Sequence, residues 1–185
     1  GFFDHIRTNP RYHPRTEDEL AEGFRAVGRR VDTLAPQYFL HLPRTPLNIQ
    51  SYPAYRAKFE AGGSYAQGTA DGLQPGVFFF NAYDLKSRFL TGVSTLYLHE
   101  GAPGHHFQIA RSQEQTDLPM FRRMSYFGAY TEGWGLYAEK LGKEAGLFVA
   151  SGTMGNLVSI MACMQRGESM IVESEAHVYR SEAGH

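Results

Sequence analysis

Hydrophobic positions follow a helical rhythm in most of the chain and an alternating one in a short middle stretch. From Thr16, the residues Leu20, Phe24, Val27 and Val31 recur every three or four positions, which is one face of an α-helix. Thr16 with Glu19 forms a capping box at its start, and Pro36 is expected to end it after about Leu34. Prolines 43, 46 and 53 interrupt the next stretch, so turns and short strands are expected there, with Leu47–Gln50 alternating. Ser64–Thr69 and Val77–Asn81 are further strand candidates, separated by turn signals at Asp71-Gly72 and Pro75-Gly76. Helical spacing resumes near Asp84, through Phe89, Leu90, Val93, Leu96 and Tyr97. Phe107–Gln115 continues as helix, Leu118-Pro119 breaks it, and a long helix is expected from Met120 to Lys143. A last helix is expected over Met154–Tyr179, with Leu157, Ile160, Met161 and Met164 inward. The predicted fold class is α+β, mostly α: a helical domain with a small antiparallel sheet or hairpin.

The helix expected over 120–143 has two distinct faces. Phe127, Tyr130, Trp134, Tyr137 and Leu141 form an aromatic stripe. Ser125, Gly128, Ala129, Glu132, Gly135, Leu136 and Glu139 form a face of mostly small residues around two carboxylates. Each glycine inside a helix costs about 1 kcal/mol relative to alanine. A helix accepting that cost needs another element close by, and Glu132 is what this face would deliver. Glu132 and Glu139 also fit a plain exposed heptad pair.

Candidate chemistry concentrates where the 84–100 helix ends. His99-Glu100-Gly101-Ala102-Pro103-Gly104-His105-His106 holds three histidines and a carboxylate. Glu100 falls within roughly 20° of Phe89 and Val93 on the apolar stripe. A carboxylate there needs a partner, a hydrogen bond or a metal. Zinc-binding helices often read His-Glu-x-x-His, which puts two histidines on one face with the glutamate as general base. Here Pro103 occupies the second histidine position. On an unbroken helix His105 would point about 120° away from His99, and His106 would share its face about 10 Å further along. Zinc–ligand bonds are about 2 Å, so neither could join His99 without a bulge or kink. Pro103-Gly104 supplies the means. The second ligand is then His105 or His106, with His105 favoured because fewer residues must loop out. Glu173 and His177 are spaced to pair on one helix face.

Composition narrows the partners. The 185 residues allow one domain or slightly more. The net charge of −1, with no basic run, argues against nucleic acid and anionic membrane surfaces. The single cysteine excludes an intrachain disulfide. No apolar stretch approaches a membrane span, and Gly1–His5 does not read as a signal peptide. Oligomeric state is not encoded in these patterns.

Three stretches together resemble the bacterial domain-of-unknown-function family numbered 885. His99–Gln108 matches its His-Glu-Gly-x-Pro-Gly-His-His-x-Gln motif, and Glu132–Glu139 matches Glu-Gly-Trp-x-Leu-Tyr-Ala-Glu. Leu42–Leu47 and Asp71–Asn81 are similar to the family's approach to the first motif. The resemblance covers roughly residues 35 to 145 and implies a distant branch of the gluzincin metallopeptidases. It implies a Zn2+ ion held by His99, by His105 or His106, and by Glu132, with Glu100 as general base. Relatives carry Arg-Leu-Val-Val-Asp-Thr-Gly-x-His further on. This chain has Ser169–His177 there, without the arginine and glycine. His177 retains the histidine, whose implied role is to steady a transition-state oxyanion. Relatives are much longer, so 1–185 is expected to be one metallopeptidase-like domain, a fragment or reduced form of a longer protein. Relatives are often exported, which implies a periplasmic or secreted setting.

The expected function is zinc-dependent hydrolysis of a peptide or amide bond. The alternatives are a metal-binding domain without turnover, and a metal-free interaction module using the aromatic surface.

Overall fold

A computed structural model describes residues 2–145. In chain order the elements are α1 (Phe2–Thr8), α2 (Glu17–Tyr38), β1 (Leu47–Ser51), α3 (Ala54–Ala57), β2 (Gly63–Ala66), β3 (Gly76–Phe80), α4 (Val93–Glu100), α5 (His105–Glu114), α6 (Met120–Met124) and α7 (Gly128–Glu144). The fold is α+β and mostly helical, as the patterning predicts. The helix expected over 154–179, with Glu173 and His177, lies outside the described residues.

Helix α2 starts where the capping box places it. The Thr16 hydroxyl accepts the Glu19 N–H at 3.0 Å, while Glu19 reaches back to the Arg15 N–H at 2.7 Å rather than to Thr16. The predicted inward face, Leu20, Phe24, Val27 and Val31, is buried. Pro36 does not end the helix. It sits inside the last turn, and Phe39 closes that turn onto the Ala35 carbonyl. A proline near a helix end forfeits one backbone bond, which flanking packing can offset.

The sheet has the order β1-β3-β2. Strands β2 and β3 pair antiparallel as expected, but β1 pairs parallel to β3, so the sheet is mixed. The chain leaving β1 passes through α3 and β2 before β3 returns beside it, long enough for a parallel crossover. Alternation along β3 sends Phe78 and Phe80 to one face, where both rings meet Phe24 of α2, at 4.9 and 5.2 Å between centroids. Tyr97 of α4 meets Phe78 edge-on at 5.6 Å. This aromatic layer seats α4 against α2 and the sheet.

Two expected helices are broken. The 84–100 helix is α-helical only from Val93, preceded by 3-10 turns at Leu85–Ser87 and Leu90–Gly92. Between those turns Arg88 and Phe89 are extended. The His13 ring makes a hydrogen bond to the Arg88 carbonyl at 2.8 Å and packs on Phe89 at 4.7 Å, replacing helical contacts. The 120–143 helix divides at Ser125, also extended. The break turns Tyr126 towards α7, where its hydroxyl donates to Glu132 at 3.2 Å.

Helix α7 packs through a face that overlaps the expected one only in part: Gly135 is buried as expected, but Glu132 and Leu136 of that face are exposed. Thr131, Gly135 and Ala138 are buried, while Phe127, Tyr130 and Tyr137 are at least half exposed. Ala129, expected at the contact, is exposed.

Candidate metal centre

The centre begins where α4 stops. His99 and Glu100 occupy its final turn, and the Gly101 N–H closes onto the Tyr97 carbonyl at 2.7 Å. The chain then turns through a cis Ala102–Pro103 bond to Gly104, and α5 opens at His105. A Cβ on Gly104 would fall 2.0 Å from the His99 carbonyl oxygen and 2.1 Å from that of Leu98. Only glycine lets the backbone fold back so tightly.

This turn solves the spacing problem posed by the sequence. It brings the His105 ring to 4.8 Å from the His99 ring, nearly perpendicular to it. One ligand atom from each of His99, Glu100 and His105 lies within 4.8 Å of the others. His106 is not in this cluster. Successive helical residues project about 100° apart, so only one of the pair can face His99. His106 is buried elsewhere, with Nδ1 3.1 Å from the Tyr65 hydroxyl, and it lines a cavity with Gly28, Asp32 and Tyr97.

Helix α7 approaches from the other side. Gly135 lies against the His99 imidazole, where a Cβ would sit 2.6 Å from Nε2. That approach carries Glu132 to the cluster: Oε2 is 3.2 Å from His99 Nε2, and Oε1 is 3.9 Å from His105 Nε2. Glu139, two turns along the same face, reaches His99 Nδ1 at 2.7 Å. Two further bonds fix α7 to the motif. Trp134 Nε1 donates to the Pro103 carbonyl at 2.8 Å, and Gln108 Nε2 donates to the Tyr130 carbonyl at 3.1 Å.

Charge is distributed unevenly. Burial pulls the His99 pKa down, but its bonds to Glu139 and Glu132 and the nearby Glu100 charge outweigh that and raise it. Burial and the His99 charge lower that of His105. Burial raises Glu100, with the Glu132 charge adding to the rise. Burial would also raise Glu132, but its bond to His99 and the His105 charge bring it below the ordinary value. Two imidazoles and two carboxylates converging in this way are a donor set that could hold a metal ion.

Sequence reasoning brings His99, Glu100 and Glu132 together with either His105 or His106; of these two, the structure places His105 in the cluster and His106 outside it. Sequence reasoning did not foresee that Glu139 grips His99, that Trp134 pins the turn, or that Tyr126 returns to Glu132. The seven-residue spacing of Glu132 and Glu139 was the available signal for the first.

A family profile described as "Bacterial protein of unknown function (DUF885)" matches residues 1–181. The chain belongs to this family. A solved structure, described as that of a candidate lipoprotein of Colwellia psychrerythraea, is similar over 86% of this chain, with a TM-score of 0.78 and 30% identity. The chain spans 28% of that protein's length. Among curated proteins, the uncharacterized protein R102.4 of Caenorhabditis elegans is 64% identical over 47 residues, a quarter of this DUF885 chain and 11% of that protein. Low-specificity L-threonine aldolase 1 of Arabidopsis thaliana is 50% identical over 48 residues, and the Escherichia coli K12 enzyme 49% over 47, each again a quarter of this chain. These cover 13% and 14% of the two enzymes.

Proposed function

We propose that this DUF885 chain is the core of a zinc-dependent hydrolase acting on peptide or related amide bonds. The observation that supports it is the convergence of His99, His105 and Glu132 from three helices, with Glu100 beside them. In this reading His99 Nε2, His105 and Glu132 hold the ion. Zinc, when bound, supplies Lewis-acid polarisation of the scissile carbonyl and lowers the pKa of water. Glu100 accepts the proton of the attacking water as the new C–O bond forms, and delivers it to the departing amine nitrogen as the C–N bond breaks. Glu100 is half-buried at the end of α4, which shields that exchange from bulk water. By the family resemblance, His177 would steady the developing oxyanion; it lies outside the described residues. The threonine aldolase matches cover at most 14% of those enzymes, too little to carry their activity here.

Metal analysis of the purified chain is the first test, and one zinc per chain is expected. Glu100→Gln should keep the zinc and lose about 10²–10⁴-fold in peptide hydrolysis, the usual worth of a general base. Glu132→Ala should weaken zinc binding sharply. If Glu100→Gln sheds the ion and Glu132→Ala keeps it, the third ligand is Glu100, the residue grouped with the two histidines. A second reading is metal binding without turnover, since the grouped His99, Glu100 and His105 can hold an ion whether or not a bond is cut. Zinc uptake with no hydrolysis of a diverse peptide library would favour it.

A further inference from the structure

We propose that Glu139 is a positioning residue that fixes the tautomer and ring orientation of His99, leaving Nε2 to bond the metal. The proposal rests on the metal-centre reading above. Helix α7 aims two carboxylates at opposite nitrogens of one imidazole. Glu139 Oε1 lies 2.7 Å from Nδ1, and Glu132 Oε2 lies 3.2 Å from Nε2. A neutral imidazole carries one N–H, and a carboxylate can only accept it. The two contacts are unequal. Glu139 has the shorter bond and is 19% exposed, against 53% for Glu132. A short hydrogen bond away from water is the stronger one, so the proton belongs on Nδ1. The Nε2 lone pair then faces Glu132 and the His105 side of the cluster. Gly135 completes the arrangement, because a Cβ there would fall 2.6 Å from the ring's Cε1 and Nε2, so only glycine leaves the ring its place between the two carboxylates. The carboxylate behind Nδ1 also makes Nε2 a better donor to a metal.

The test has two readouts. In the metal-free chain, at a pH where the ring is neutral, long-range ¹⁵N–¹H correlation should show the His99 proton on Nδ1. In Glu139→Ala that proton should redistribute towards Nε2, while Glu139→Gln, whose amide oxygen still accepts, should retain it on Nδ1. Competition of zinc against a chromogenic chelator should show Kd rising about 10–100-fold in Glu139→Ala, and less in Glu139→Gln. Circular dichroism confirms that the variants remain folded. A wild-type proton on Nε2, or a Glu139→Ala chain with unchanged tautomer and Kd, overturns the proposal. A wild-type chain that takes up no zinc overturns the metal-centre reading and the metal half of this one, while the tautomer still decides whether Glu139 sets the ring.

Discussion

At the scale of single residues, Gly104 and Gly135 limit the candidate centre more tightly than the side chains proposed to hold its metal do. A methyl group at Gly104 would meet two backbone carbonyls, which cannot step aside as a side chain can. Gly104→Ala should therefore cost about 3 kcal/mol, the upper end for overpacking, and should lower both the melting temperature and zinc uptake. At Gly135 the obstacle is the His99 ring, which can tilt. Gly135→Ala should cost less stability yet weaken zinc binding, measured by the same chelator competition. The sequence already showed that α7 accepts costly glycines and that Glu100 lies on an apolar stripe. It left His105 and His106 open because hydrophobic periodicity gives the period of a helix, not the direction in which a kinked helix resumes.

At the scale of elements, the join between α7 and the α4–α5 turn is made by few polar contacts. Trp134→Phe keeps an aromatic ring near Phe39 and Tyr137 but removes the N–H donated to Pro103. A loss of about 1 kcal/mol is expected in urea unfolding, the usual net worth of one hydrogen bond. Element types were largely legible in the pattern, since the start of α2, the strands and most of α5 fall close to where periodicity and turn residues put them. Continuity was not. The interruption before Val93 depends on His13, which lies 75 positions from Arg88, and no local window contains that contact. The parallel pairing of β1 escaped for the same reason: alternation identifies a strand without naming its neighbour.

At the scale of the whole molecule, Glu114 ties the end of α5 to the segment before β1. Its side chain is fully buried, and it accepts the Arg44 N–H at 2.7 Å, the Thr45 N–H at 3.2 Å and an Arg111 N–H at 2.8 Å. Burial alone would raise its pKa, but these donors outweigh burial and hold it below the ordinary carboxylate value. The folded state thus binds its proton less readily than the unfolded chain does. The resulting stability is present above the ordinary carboxylate value and is lost as pH falls through the lower folded one. Glu114→Gln should be about 1–3 kcal/mol less stable than wild type near neutral pH, with the gap closing in acid. Denaturant titrations at the two pH values would show it. The tight turn at Gly101–Gly104 has a consequence for mutational tolerance. A saturation scan would find intolerance peaking at positions that bear no side chain, in sequence gaps between the histidines and glutamates. Substituting one of the proposed ligands removes one side chain from the cluster, whereas substituting Gly104 displaces the helix ends that carry several of them.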